Sequence, residues 1–291
     1  MPVVVPSNLR EALAVLATEP DAVPIAGGTD LMVAINAGRH PVGTVVGVGA
    51  LPELRGWRRD GDDLVLGAAL TYRELADPVL ASGCPALAQA ARTVGSPQIR
   101  NAGTIGGNLA TASPAGDALP VLVALDATVE LASTRGTRAV SVTDYLVGPK
   151  RTDAERDELV VAVRIPLSDS RQEFLKVGTR NAMVIAVASV AAVVDLDARH
   201  VRLAMGSVGP TVLRAHDAEA FASDAIDWDR GAQLDPAALP TLGALVADAA
   251  RPIDDHRSTA SYRRRCVGVL ATRALRRLCV APPAAGAGLA A

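Results

Sequence analysis

Apolar positions along the first third of the chain alternate between two periods. Residues 9, 12, 13 and 16 are apolar at helical spacing and Ser7 or Asn8 stands where a cap belongs, so the pattern predicts a helix over Asn8–Ala17. Ala22–Ala26 reads as a short strand, Gly27 and Gly28 as a turn, and Thr29 or Asp30 as the cap of a helix running to Asn36. The β-branched run Val42–Val48 predicts the next strand. "DDLVLGAALTYREL" predicts a strand followed by a helix start, and Pro85–Val94 a helix with Leu87, Ala90, Ala91 and Val94 on one face. Leu119–Leu125 reads as helix, Thr128–Ala132 as strand, and "DELVVAVRIP" as a strand stopped by Pro166. The polar "LSDSRQ" marks a boundary. Beyond it "EFLKVGTR", "MVIAVASVAAVVDLD" and "HVRLAMGSVG" predict three strands. The middle run also suits a buried helix, but its Val and Ile content and the turn-like Asp195–His200 favour a meander. Helical blocks near 214–223, 236–250 and 258–279 follow, and "APPAAGAGLAA" reads as a disordered tail over 281–291.

One stretch follows neither period: "NAGTIGGNLATASPAGD", Asn101–Asp117, whose only charge is the final aspartate. It gives up side-chain bulk and backbone entropy together, so something must come close to its backbone. Ala26–Asp30 is a second glycine turn beside a helix start. Amides clustered at such turns point outward, the helix dipole favours an anion, and the missing Cβ permits contact with phosphate. Two separate loops suit a ligand with two phosphates better than one. No Lys-Ser/Thr follows either glycine pair, which excludes a P-loop, and neither pair is the G-x-G-x-x-G of a Rossmann unit. A glycine pair alone is also compatible with a plain turn.

At 291 residues the chain is long enough for two cores, and with 49% hydrophobic but 2% aromatic residues those cores must be built from Ala, Val, Leu and Ile. A net charge of -2 from 29 basic and 31 acidic residues leaves no footprint for nucleic acid. The longest apolar run, Val184–Val194, is interrupted by Ser189 and falls short of the roughly 18 residues a membrane span needs. The opening "MPVVVPSNLREAL" has no export-signal pattern, which predicts a cytoplasmic protein. Cys84, Cys266 and Cys279 show no C-x-x-C spacing and the four histidines stand apart, so no metal or iron-sulfur site is expected.

At "AGGTDL", "RNAGTIGGNLATASPAGDALP", "FLKVGTRNAMVIA", "GSVGPTVLRAHDAE" and "YRRRCVGVLATRAL" the chain resembles the FAD-binding subunit of the molybdenum hydroxylases, the family of the xanthine dehydrogenase FAD-binding subunit and the carbon monoxide dehydrogenase medium subunit. The resemblance implies an α+β fold. A FAD-binding domain of the vanillyl-alcohol-oxidase/PCMH type, in two α/β subdomains, would span 1–167. A C-terminal domain with a three-stranded antiparallel sheet and helices would span 172–280.

It further implies that Ile25, Ala26, Gly27, Gly28, Thr29, Asp30 and Leu31, with Thr104, Ile105, Gly106, Gly107 and Asn108, hold the FAD pyrophosphate and ribityl region, mainly through backbone amides. A Cβ at Gly107 is expected to push the backbone off the cofactor and to meet an unfavourable φ. Asp117 would accept hydrogen bonds from hydroxyls of the cofactor, although it could equally be a plain cap for the helix at 118–125. Lys176 would lie in the flavin pocket. It and Lys150 are the only lysines among 29 basic residues, and its compact ammonium could stabilise an anionic reduced flavin; the alternative is a solvated strand residue. Val160 matches a position packing near the isoalloxazine, as any strand valine would. After Arg180, where the family commonly carries an acid, Asn181, Ala182, Met183 and Val184 are uncharged, which leaves the use of NAD+ as acceptor open.

The function so implied is an electron-transfer subunit of a heteromeric molybdenum hydroxylase, with a molybdenum-cofactor subunit and a two-iron two-sulfur subunit as partners and no catalytic residues of its own. The alternatives are a stand-alone FAD-dependent oxidoreductase acting on its own small substrate, and an interaction module without cofactor.

Overall fold

In the first described element, β1 (Val3–Val4), the chain enters a small parallel sheet in which Val45–Gly47 is the middle strand and Val23–Ile25 the far one. The structure is a computed structural model that describes residues 2–38 and 43–279. The expected tail at 281–291 and Val42, the first residue of a predicted strand, lie outside the described residues. The helix α1 (Leu9–Thr18) forms where the periodicity predicts it. Asn8 Oδ1 accepts from the Glu11 amide at 3.0 Å, the Glu11 carboxylate accepts from the Ser7 amide at 2.8 Å, and Ala12, Leu13 and Leu16 are buried. The strands β2 (Val23–Ile25) and β3 (Val45–Gly47) flank α2 (Leu31–Asn36) in sequence. Asp30 occupies the cap position of α2 but makes no side-chain cap bond, contrary to expectation. Its backbone is already helical (φ -107, ψ -47), whereas a capping side chain reaches the first amides from an extended residue.

A second, antiparallel sheet combines β4 (Trp57–Asp60), β5 (Asp63–Gly67), β6 (Thr128–Ser133), β7 (Gly136–Ser141) and a strand over Leu159–Pro166, in the order β4-β5-(159–166)-β6-β7. Five short helices lie between β5 and the glycine-rich stretch or inside it: α3 (Tyr72–Leu75), α4 (Pro78–Gly83), α5 (Pro85–Thr93), α6 (Pro97–Ala102) and α7 (Ile105–Thr111). They are followed by α8 (Ala118–Ala124), which is buried throughout. The aperiodic Asn101–Asp117 is therefore partly helical. Its helix α7 carries two glycines that propensity disfavours, and it is held instead by the Thr104 side-chain cap and by Ile105 and Leu109, both fully buried. A turn of helix, α9 (Val142–Tyr145), and the hairpin β8 (Leu146–Gly148) and β9 (Arg151–Thr152) lead into that long strand, β10 (Leu159–Pro166).

Only Leu167–Asp169 separates β10 from β11 (Ser170–Val177), which starts an antiparallel sheet with β12 (Ala188–Asp195), β13 (His200–Gly206) and the two-residue β14 (Leu213–Arg214). The fourth strand extends the expected three. Every residue of β12 is buried, because the sheet is covered on both faces. Ala191 and Val193 join Phe174 in the core beneath α5 and α8. Ala188, Val190, Ala192 and Val194 join the core under α10 (His216–Ala225), α11 (Leu239–Ala249) and α12 (Ala260–Cys279). That strict alternation resolves the run that periodicity left open: both sets of a two-residue repeat are apolar when both faces are buried.

The C-terminal sheet is thus part of the N-terminal core. Residues 170–279 expressed alone should expose the Phe174 face and associate or bind a hydrophobic dye. A soluble, monomeric fragment that unfolds cooperatively would contradict the shared core. The three cysteines are buried and free, with burial pushing the Cys84 thiol up to about 12 and Cys279 to about 11, so both are inert packing groups. Among the described residues no helix is long and apolar enough to cross a membrane, and no group of His, Cys, Asp or Glu could hold a metal ion.

Candidate functional site

The two glycine turns meet. A Cβ on Gly27 would fall 1.7 Å from the Ala102 carbonyl oxygen, so the first turn lies directly on the backbone that leads into the second. Gly28 has φ +67, a conformation that glycine adopts without strain. A Cβ on Gly106 would fall 2.6 Å from Ala68 Cβ and 2.7 Å from its carbonyl oxygen. In these three glycines it is the protein's own packing or backbone that needs the missing side chain. Gly107 differs: a Cβ there meets only Thr104 Oγ1, at 3.0 Å, and is otherwise open. Its φ is not among the positive ones, so the expected backbone penalty at this position does not exist.

The amides divide the same way. In the second turn Ile105 N–H donates to Leu70 O (3.0 Å), Gly106 to Ala68 O (2.9 Å), Gly107 to Thr104 Oγ1 (3.0 Å) and Asn108 to Thr104 O (3.0 Å). The first turn of α7 is fully satisfied within the protein. From Gly27 to Leu31, by contrast, no amide donates to any acceptor among the described residues. Five adjacent amides without a protein acceptor at a helix start are available to an anion.

Asp117 stands at the start of α8 yet makes no cap bond, since its backbone is helical (φ -67, ψ -31). Its carboxylate turns to the C-terminal sheet instead. Lys176 Nζ donates to Asp117 Oδ2 at 2.5 Å and to the Thr93 carbonyl at 3.2 Å, and Thr93 Oγ1 lies 3.3 Å from the same Oδ2. The strand period brings the lysine here: residues 172, 174 and 176 share the face of β11 that covers α5, and the Lys176 side chain is 7% exposed. It is no solvated strand residue. Burial raises the Asp117 carboxyl above its ordinary range, and the Lys176 charge, pulling the other way, does not offset it.

Two buried acceptors in this region have no hydrogen-bond partner, Asp117 Oδ1 and Asn108 Oδ1. Gly116 lies between them, with room for no side chain, since a Cβ would fall 2.8 Å from Asn108 Nδ2. An unpaired buried acceptor costs about 1–3 kcal/mol, and both call for a donor from outside the chain. A dinucleotide carrying hydroxyls and a pyrophosphate answers both halves of the site: phosphate oxygens for the amides at 27–31 and hydroxyls for Asn108 and Asp117. The residues present therefore fit FAD.

Sequence reasoning missed Tyr72. It is 5% exposed, its ring would meet a Cβ on Gly103 at 3.1 Å, and burial together with Asp117 and Asp30 raises its hydroxyl pKa, which places it behind the same turns. The only local signal was the Thr71–Glu74 capping box, which marks a helix start and not a site. Val160 lies at a bulge of β10 in the core with Ile105 and Leu109. Arg180 closes its own loop, with Nε donating to Ala182 O at 3.0 Å and Met183 O at 3.2 Å.

Residues 1–168 match the family described as the FAD binding domain in molybdopterin dehydrogenase, and residues 173–278 match the CO dehydrogenase flavoprotein C-terminal domain. The chain is 32% identical to the glyceraldehyde dehydrogenase medium chain of Sulfolobus acidocaldarius over 92% of its own length and 95% of that protein's. It is 40% identical to the nicotinate dehydrogenase FAD-subunit of Eubacterium barkeri over 66% of this chain and 68% of the relative. The fold superposes on a carbon monoxide dehydrogenase structure from Hydrogenophaga pseudoflava with a TM-score of 0.87 and 29% identity, covering 96% of both chains.

Proposed function

Because this chain belongs to the FAD-binding subunits of the molybdopterin-dependent dehydrogenases, an oxidoreductase family whose cofactor is FAD, we propose that it relays electrons from iron-sulfur clusters on a partner to an external acceptor. Bound FAD supplies one- and two-electron redox chemistry, which is what joins single-electron clusters to a two-electron acceptor. The chain's own residues bind and orient. The free amides of Gly27–Leu31 would take the pyrophosphate, and Asn108 Oδ1 and Asp117 Oδ1 the hydroxyls. Thr104 and Ile105 hold the second turn in place, Gly107 leaves open room beside them, and Val160 backs them from the core. Lys176 fixes the Asp117 carboxylate with one oxygen free and sets a positive charge at the boundary between the two cores.

The observation that carries this reading is the pair of buried, unpartnered acceptors at Asn108 and Asp117, together with a run of free amides in a turn that packs on Ala102. The partners belong to the same reading, in keeping with relatives named as medium chains and FAD-subunits: a molybdenum-cofactor subunit that oxidises substrate and a two-iron two-sulfur subunit that delivers electrons. The purified chain should bind FAD and release it on acid precipitation. Co-expressed with the two partners, it should be required for substrate-dependent acceptor reduction. A chain that cannot be loaded with FAD would defeat the cofactor assignment. Equal acceptor reduction by the other two subunits alone would defeat the relay. Turnover of a small substrate by this chain in isolation would favour the stand-alone oxidoreductase.

A further inference from the structure

The motifs "GSVG" and "YRRRC" lie far from the glycine turns in sequence, and cofactor binding as described gives them no part. The structure connects them to the site. Strand β13 ends at Gly206, where a Cβ would fall 2.5 Å from Ser189 Oγ and 2.8 Å from Pro120 Cγ, so the strand end closes on α8. The next residue, Ser207, is 6% exposed and held at φ 63, a left-handed backbone that a non-glycine residue adopts only under constraint. In that conformation its amide donates to the Pro114 carbonyl at 2.8 Å, and its carbonyl accepts from Arg263 Nη1 at 2.7 Å. Arg263, 4% exposed on α12, is anchored at its other end by Nη2 donating to Asp255 Oδ1 at 2.6 Å.

Pro114 lies in the turn that leads into Asp117 and abuts the Asn108 side chain of α7. The Ala115 amide donates to Ser113 Oγ at 3.3 Å and the Gly116 amide to Ser113 O at 2.8 Å, Gly116 abuts the Asn108 side chain, and Asp117 follows. A single hydrogen-bonded chain thus runs from Asp255 through Arg263 and Ser207 to the turn beside both unpartnered oxygens.

We propose that Arg263 is a positioning residue for the cofactor: from the C-terminal helix it locks Ser207 in its left-handed backbone, and the Ser207 amide then sets the 113–116 turn so that Asn108 Oδ1 and Asp117 Oδ1 converge on the same ligand. A guanidinium suits the task because its planar fork reaches a carboxylate and a carbonyl at once and stays charged when buried. This inference rests on the reading that those two oxygens take the hydroxyls of FAD.

The test is FAD titration of the full-length apoprotein by flavin fluorescence, with the visible circular dichroism of the bound flavin recorded alongside. Wild type, Arg263→Gln and a control, Leu242→Ala, are compared at a temperature where all are folded. Leu242 is fully buried in the other core, so its truncation destabilises the C-terminal helices without touching the turn. Arg263→Gln should raise the Kd for FAD at least tenfold and change the flavin dichroism, while Leu242→Ala stays within twofold of wild type on both readouts. Should Arg263→Gln fail to fold, Asp255→Asn, which frees Arg263 at its far end, should weaken FAD binding about threefold to fivefold. The proposal is overturned by an Arg263→Gln protein, or failing that an Asp255→Asn protein, with wild-type Kd and dichroism, or by an equal loss in Leu242→Ala. A wild-type chain that binds no FAD would instead sink the underlying reading, so the two failures are distinct.

Discussion

Gly107→Val should cost the protein its FAD and leave its fold intact, whereas the same change one residue earlier should destabilise the fold itself. At Gly107 the backbone is helical and the space beside it holds only Thr104 Oγ1. A valine there has to displace only the Thr104 hydroxyl, by a few tenths of an ångström, and valine and glycine are both weak helix formers, so the empty protein should lose little stability. It also fills the room the cofactor would use, and a hundredfold loss of FAD affinity, about 3 kcal/mol, is expected. At Gly106 the new Cβ would overlap Ala68 Cβ at 2.6 Å, and the strain of overpacking, about 1–3 kcal/mol or more, falls on the fold itself. Thermal melts of the two apoproteins together with FAD titrations separate the cases. Equal FAD affinity in Gly107→Val and wild type would make the second turn purely structural.

The second large effect belongs to the buried ion pair. Lys176→Met removes the counter-charge of a carboxylate whose side chain is 6% exposed, and stranding one member of such a pair costs about 3–5 kcal/mol. The double variant Asp117→Asn/Lys176→Met leaves no stranded charge and should recover much of that loss. The pH dependence has a definite sign. Burial raises the folded-state pKa of Asp117 above its ordinary 3.8, so the folded protein binds more protons than the unfolded chain between the two values, and stability falls as pH rises through that window. Lys176→Met takes away the charge that opposes this rise, so the decline should steepen and extend to higher pH. Asp117→Asn should abolish it. Urea unfolding across a pH series reads all three, and a Lys176→Met protein with the wild-type pH profile would show that the pair is not coupled.

Local periodicity made much of the fold legible. Apolar residues at 9, 12, 13 and 16 and a capping Asn8 specify α1 through interactions that span four residues, and they form it in the structure. The meander of β11, β12 and β13 was readable for a similar reason: strong β-branched runs separated by a turn leave few alternatives. The phrase at 101–117, with its glycines and terminal aspartate, was enough to mark the segment in which the Asn108 and Asp117 oxygens stay unpaired.

Longer-range questions were closed to it. Within the glycine pairs, periodicity treats Gly106 and Gly107 alike, yet one meets Ala68 and the other open space, because β5 and its following turn pack against only one side of α7. Asp117 could be read as a helix cap until Lys176, on another strand, was found to hold it. Sequence alone determined the strongly periodic segments, such as α1, α5, α8, β12 and β13, and that a phosphate-bearing cofactor was the expected ligand, since propensity, capping and the glycine motif act over a few residues. The tertiary structure decided which amides stay free, which oxygens stay unpaired and which glycine has open space beside it. Those properties depend on partners far apart in the chain, Gly27 with Ala102, Gly106 with Ala68 and Asp117 with Lys176, that meet only in the folded protein.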